Sequence, residues 1–329
     1  MFIKIKSIDE EIPGEKWLEV FERTWPYYRA WYTQEGLTAR PGYLSCIEAL
    51  EEYMPELMPV YQQICELSGG GDISSRYLSM WNPPAFMSGC TQMVWTKKNP
   101  ALIRNYDYNP KWFEGVMLKS NWLQPVIGIS DCNWGLLDGM NESGLCASLN
   151  FGGRNTVGNG FGIPLVIRYL LETCKYVGEA IKVLERIPVH MAYNVMLLDK
   201  NGDYVTLFLG PDRAPGLVKK QTCTNHQEDI VWHDYAKETQ TIERERALEQ
   251  YLSDEEMDLT SLFKKFLEPP LYQYDMKKSY CTLYSAAWFP KTGEARLFWK
   301  ENDLKQSFLN FNENQITVYL NKHAESLIF

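Results

Sequence analysis

The chain has 329 residues, 45% of them hydrophobic and 14% aromatic, which suits a globular protein with one large domain or two unequal ones. Its formal charge of −9 argues against nucleic acid or an anionic membrane surface as the main partner. No apolar stretch reaches the roughly 20 residues of a membrane span, and eight scattered cysteines without a C-x-x-C pair argue against a zinc site or a disulfide framework.

The N-terminus, Met1-Phe2-Ile3-Lys4-Ile5-Lys6, alternates like a strand and lacks the apolar core of a signal peptide, so a cytoplasmic location is expected. After the Pro13-Gly14 break, Trp17, Leu18, Val20, Phe21 and Trp25 give a ragged helical face. Tyr43 to Leu67 is a second helical stretch that Pro55 and Pro59 should kink or split, and Gly69-Gly70-Gly71 stops it. From Cys90 onward the pattern turns to strands: 91–96, 102–108 and 126–130, then a hairpin of 135–140 with 145–151 across Asn141-Glu142-Ser143-Gly144. Helices are expected over 163–175 and 178–186, followed by a hairpin of 193–199 with 204–209 around Asn201-Gly202. A charged helix covers 241–252, and strands at 280–289, 295–300 and 316–320 end the chain. This order predicts an α+β fold, a sandwich of antiparallel sheets with helices outside, and a helical N-terminal segment over 1–89 ahead of the catalytic domain at 90–329.

The candidate chemistry gathers around Cys90, in Met87-Ser88-Gly89-Cys90-Thr91. A cut between Gly89 and Cys90 would place a thiol and a free α-amine on one residue, and the amine would serve as base for its own nucleophile. Gly89 permits the strained backbone that an N-to-S acyl shift needs. Taken alone, any one of the eight cysteines reads as a small buried hydrophobe. Arg104 and Asp107 follow in Ala101-Leu102-Ile103-Arg104-Asn105-Tyr106-Asp107-Tyr108. They read either as a plain ion pair or as a guanidinium that lowers the thiol pKa and a carboxylate that holds the amine. Residues three apart in a strand face opposite ways, so aiming both at one site requires a turn or bulge after Asn105. Asn150, at a strand end before Gly152-Gly153, and Asn225, in Thr224-Asn225-His226, read as turn residues or as oxyanion donors. Tyr106, Tyr108, Trp112, Phe113, Trp122 and Trp134 read as core one by one and as an apolar acyl site together. The four histidines (190, 226, 233 and 323) show no ligand spacing, and neither a metal nor another cofactor is expected.

Four ordered pieces then carry a resemblance. They are Gly89-Cys90-Thr91, Arg104-Asn105-Tyr106-Asp107, Gly139-Met140-Asn141-Glu142-Ser143-Gly144-Leu145 running into Leu149-Asn150-Phe151, and Thr224-Asn225-His226. Together they resemble the N-terminal nucleophile (Ntn) hydrolases of the acyl-coenzyme A:isopenicillin-N acyltransferase family, related to choloylglycine hydrolases and penicillin V acylases. The resemblance implies a four-layer αββα sandwich, Cys90 as nucleophile, Arg104 and Asp107 as its flanking pair, and Asn150 as the oxyanion-hole asparagine. It further implies Asn225 as the active-site asparagine and Arg244, with Arg246 as competitor, as the arginine on the helix that follows. The residues ahead of Cys90 match the acyltransferase branch, whose precursors cut into a small and a large subunit.

The expected activity is a self-processing amide hydrolase or acyltransferase acting on a small-molecule amide with an apolar acyl group, acyl-coenzyme A being a possible donor and a homo-oligomer a possible assembly. Two rivals stand beside it. One is an uncut, catalytically silent protein of the same fold. The other is a conventional thiol hydrolase pairing Cys90 or Cys223 with His226.

Overall fold

The computed structural model of the chain describes residues 1–275 and 279–320; His323, one of the four histidines, lies outside them. The chain opens with strand β1 (Phe2–Asp9), whose alternating residues bury Ile3 and Ile5, and continues into helix α1 (Glu15–Tyr32). Helices α2 (Tyr43–Tyr53) and α3 (Met58–Leu67) come from the stretch expected to split. The break falls at Pro55, which opens a single 3-10 turn, whereas Pro59 sits in the first turn of α3, where its missing N–H costs no bond. A further short helix, α4 (Asp72–Leu78), follows the glycine run.

After this come β2 (Gly89–Trp95), β3 (Ala101–Tyr108), β4 (Val116–Asn121), β5 (Pro125–Asp131), β6 (Gly135–Asn141) and β7 (Leu145–Phe151). Helices α5 (Ile163–Thr173) and α6 (Val177–Arg186) precede strands β8 (Tyr193–Asp199), β9 (Tyr204–Gly210), β10 (Arg213–Val218) and β11 (Thr222–Cys223). Helices α7 (His233–Glu238), α8 (Thr241–Ser253) and α9 (Leu259–Phe266) lead to β12 (Tyr274–Asp275), β13 (Tyr280–Phe289), β14 (Glu294–Phe298), β15 (Asp303–Ser307) and β16 (Gln315–Tyr319). Both expected hairpins form, and their tight turns place Gly144 (φ +92°) and Gly202 (φ +89°) in the left-handed region that glycine adopts without strain.

Two sheets result. One runs β10-β9-β8-β7-β6-β5-β4-β1-β16 and the other β11-β2-β3-β13-β14-β15, with β12 paired to β13. The expectation of antiparallel sheets needs one correction: β1 pairs parallel with β4, because the long excursion through α1–α4 and the β2–β3 hairpin acts as a crossover between them. The segment 1–89 is therefore not helical throughout, since β1 is an internal strand of the larger sheet.

The two faces of the β2–β3 pair show the layering. Cys90, Val94, Leu102 and Tyr106 point into the main core between the sheets, where the Arg104 side chain reaches Leu137 and Asp138 of β6. Met93, Ile103 and Ala287 point the other way, onto Leu248 of α8 and Leu262 and Phe266 of α9. Helix α5, with every residue from Ile163 to Glu172 buried, packs on β6 and β7. The order is helix, sheet, sheet, helix, an αββα sandwich. Among the described residues no helix is long and apolar enough to cross a membrane.

Candidate active site

Cys90 is the second residue of β2, and the ladder sets its neighbours: Gly89 faces Asp107, Cys90 faces Tyr106 and Gln92 faces Arg104. Directly opposed residues share a sheet face, so Cys90, Tyr106 and Arg104 look inward, and Asp107 looks outward. The bulge expected after Asn105 is absent, since β2 and β3 stay in register from Gly89 to Trp95. The irregularity lies in the partner strand, between Thr282 and Tyr284. Arg104 and Asp107 thus lie on opposite faces of the sheet, Arg104 reaching the thiol and Asp107 reaching Arg244, which in turn donates to the Cys90 carbonyl.

On the inner face, Arg104 Nη2 donates to Cys90 Sγ at 2.9 Å. The other arm, Nη1, donates to Leu137 O at 2.9 Å and meets Asp138 Oδ2 at 2.7 Å, and Tyr284 Oη donates to the same carboxylate oxygen at 2.7 Å. The guanidinium also lies 5.1 Å from the Tyr106 ring centroid. Burial pushes the thiol pKa up and the Arg104 field pulls against it. Arg104 itself stays firmly protonated: burial opposes its charge, but Cys90, Tyr284 and Asp138 outweigh burial.

On the outer face, Asp107 Oδ1 accepts from Thr282 Oγ1 at 2.6 Å, and its Oδ2 lies 3.4 Å from Arg244 Nη1. Burial raises this carboxyl to about 6 against the opposing pull of Arg244 and Thr282. Arg244, in the first turn of α8 and fully buried, donates through Nη1 to Cys90 O and Thr91 Oγ1, both at 2.7 Å. Its Nη2 donates to Asn225 Oδ1 at 2.9 Å. That oxygen also accepts from the Cys90 backbone N–H at 2.8 Å, while Asn225 Nδ2 donates to Phe151 O at 3.0 Å. Tyr235 Oη holds Ser88 O at 3.0 Å, just ahead of the Gly89–Cys90 peptide. Arg246, one turn-face away on α8, is exposed, so it is Arg244 that reaches the cluster.

Gly89 also meets a demand for space. Its φ is not in the left-handed region; a Cβ there would sit 1.5 Å from Tyr280 Oη, so glycine is required for space beneath that hydroxyl.

Two further expected residues make contacts of other kinds. Asn150, paired across the sheet with Asn194, turns its amide to Cys223 O (3.2 Å) and Thr224 O (3.4 Å), bracing the segment that delivers Asn225. His226 is tied into α8, with Nε2 3.0 Å from Glu245 Oε2 and Nδ1 3.0 Å from Thr241 Oγ1, so neither ring nitrogen faces a cysteine. Cys223 is buried, and burial drives its thiol to about 12. All eight cysteines are free and buried.

Beside Tyr106 opens a cavity of about 470 Å³. Of the six aromatics singled out from sequence, Tyr106, Tyr108 and Trp112 line it, Phe113 and Trp134 lie in the core, and Trp122 packs partly buried against that core. Its other wall comes from α1, through Tyr27, Tyr28 and Trp31, and from Ala85 and Phe86 shortly before Cys90. Sequence reasoning missed that wall, and it missed Asp138 and Tyr284. A lone acid inside the apolar run Leu136-Leu137-Asp138-Gly139 was the available signal for Asp138.

The sequence model of the acyl-coenzyme A:6-aminopenicillanic acid acyl-transferase family matches residues 94–304, more than half of the chain. The chain belongs to that family. No curated protein matches the chain in sequence. Among solved structures, a mutant conjugated bile acid hydrolase from Clostridium perfringens aligns at 13% identity, covering 71% of this chain and 97% of its own, with a TM-score of 0.48. A penicillin V acylase from Agrobacterium tumefaciens aligns at 15% identity over 71% of this chain and 87% of its own (TM-score 0.45). A Caenorhabditis elegans orthologue of N-acylethanolamine-hydrolyzing acid amidase aligns at 15% over 70% and 100% (TM-score 0.46).

Proposed function

We propose that the chain cuts itself between Gly89 and Cys90 and then hydrolyses a linear amide, or transfers its acyl group, through a thioester on Cys90. The observation that carries this reading is a pair of contacts on one residue. Asn225 Oδ1 accepts from the Cys90 N–H at 2.8 Å while Arg104 Nη2 donates to Cys90 Sγ at 2.9 Å. The nitrogen that becomes the α-amine and the sulfur that attacks are each held by a dedicated side chain.

In the first stage Sγ bonds to the Gly89 carbonyl carbon, the C–N bond breaks, and the nitrogen takes up the proton lost by the thiol. Water then cleaves the Gly89 thioester, leaving a Gly89 carboxylate, a free thiol and an α-amine. In the second stage the α-amine takes the thiol proton, the thiolate adds to a substrate amide carbonyl, and the proton passes to the departing amine. Water releases the acid; an amine acceptor in its place gives a new amide. Arg104 offsets the thiolate charge, Asp107 and Arg244 orient the amine, and the amides of Asn150 and Asn225 steady the oxyanion. The Asn150 amide also contacts Cys223 O and Thr224 O, which ties it to the segment that carries Asn225. The aromatic cavity beside Tyr106 receives the apolar part of the substrate, and the family description makes acyl-coenzyme A a candidate acyl donor.

The geometry favours this reading over a cysteine–histidine pair, because both His226 ring nitrogens are engaged by Glu245, Thr224 and Thr241. An acid quench during turnover of a chromogenic amide, followed by peptide mass spectrometry, tests it. The acyl group is expected on a peptide that begins at Cys90. Acylation at Cys223, or turnover that survives Cys90→Ala, would overturn the assignment.

A further inference from the structure

The aromatic cavity contains one feature that an apolar acyl group does not explain. Tyr27, Tyr28, Trp31, Tyr106, Tyr108 and Trp112 line it, and the carboxyl of Asp131 shares that lining. Asp131 is only 9% exposed and makes no ion pair among the described residues. Its donors are Tyr28 Oη at 3.4 Å and Cys132 Sγ at 3.5 Å, with the Cys132 backbone N–H also turned to it. The neighbouring Glu114 accepts from Asn133 N–H at 2.6 Å, Tyr28 Oη at 2.8 Å and Ser130 Oγ at 2.8 Å. None of the donors to Asp131 carries a charge, so Asp131 lies in the cavity wall without a cation of its own among the described residues. Burial, followed by the charge of Glu114, pushes its carboxyl to about 8.

Electron-rich ring faces around a space, with one such acid in its wall, form a site complementary to an organic cation. We propose that this cavity binds an ammonium group, so that the substrate is an amide carrying an amino or alkylammonium group. The assignment rests on the reading of Cys90 as the nucleophile and specifies its substrate class. Tyr106 links the two places: it lines the cavity, faces Cys90 across the β2–β3 ladder, and feels the charges of both Asp131 and Cys90. The guest's charge replaces the proton on Asp131, which is released to water, and its alkyl groups lie on the rings.

The test uses the full chain and two guests of equal shape, benzyltrimethylammonium and its neutral carbon isostere neopentylbenzene, followed by the fluorescence of the cavity tryptophans. The cation is expected to bind roughly tenfold or more tightly than the isostere. Asp131→Asn should abolish that preference while leaving the neutral guest bound, and Trp31→Leu should weaken both guests. Equal affinity for the two guests in the wild type, or a preference that survives Asp131→Asn, would overturn the proposal. Binding needs no turnover, so the measurement stands apart from the nucleophile assignment. Amides with and without an ammonium group, presented on either side of the scissile bond, then separate the two readings. Cation preference without cleavage of any amide contradicts the function; cleavage indifferent to the ammonium group contradicts the cavity assignment.

Discussion

Arg104 is the residue on which the thiol depends most, because its guanidinium is the cation that donates to Cys90 Sγ. Replacing it by glutamine removes a field that lowers the thiol pKa and leaves Asp138 buried opposite a neutral group. Arg104→Gln should therefore shift the pH profile of Cys90 alkylation to higher pH and slow acylation by about 100-fold, the scale of losing one charge-stabilising donor. It should also cost roughly 3–5 kcal/mol in urea denaturation, as expected for breaking a buried pair. An unmoved alkylation profile would show that Arg104 does not serve the thiol. A second residue-scale prediction concerns His190, held neutral by burial with its pKa near 4 instead of 6.5. As pH falls below 6.5 the unfolded chain takes up this proton and the folded chain does not, so stability drops between pH 6.5 and 4 by about 1.4 kcal/mol per unit. His190→Gln should flatten that part of the stability–pH curve by on the order of 3 kcal/mol; parallel curves for variant and wild type would contradict it.

At the scale of elements, strand β2 works because its first residue is the smallest possible. Gly89→Ala would drive a methyl into Tyr280 Oη, displacing β13 or the scissile segment. It should slow self-processing at least tenfold, and the double variant with Tyr280→Phe should recover part of the rate by removing the clashing oxygen. No recovery in a folded double variant would point to a backbone requirement at Gly89. The sequence exposed this strand, both hairpins, α5, α6 and α8, because periodicity and Asn-Gly or Ser-Gly turns are local signals. It did not expose α4, β4, β10, β11, β12, β15, α7 or α9. β11 and β12 have two residues each and α7 has six, too few for any period to register. The parallel seat of β1 beside β4 depends on long-range pairing that alternation cannot encode. The site divides in the same way. Cys90, Arg104, Asp107, Asn225 and Arg244 were legible as motif positions and meet in space. Asp138, Tyr284 and Tyr235 were not, because each is brought in from a strand or helix whose register the sequence leaves open.

At the scale of the molecule, the segment before Cys90 is woven into the rest. β1 is hydrogen-bonded to both β4 and β16, and α1 supplies a wall of the cavity. A cut at Gly89–Cys90 would thus leave two fragments sharing one sheet and one core, with the N-terminal piece retained as a structural part. Such a core, holding Ile3, Ile5, Trp17 and Tyr61 together with β5–β8, resists separation without denaturant. The measurement that bears most directly on self-processing is mass spectrometry of the wild type and of Cys90→Ala, each run under native and denaturing conditions. The wild type is expected to hold both pieces together natively, at 38.3 kDa per chain, and to fall into fragments ending at Gly89 and beginning at Cys90 when denatured, while Cys90→Ala stays whole in both. A wild type that stays whole under denaturing conditions after long incubation would contradict the account.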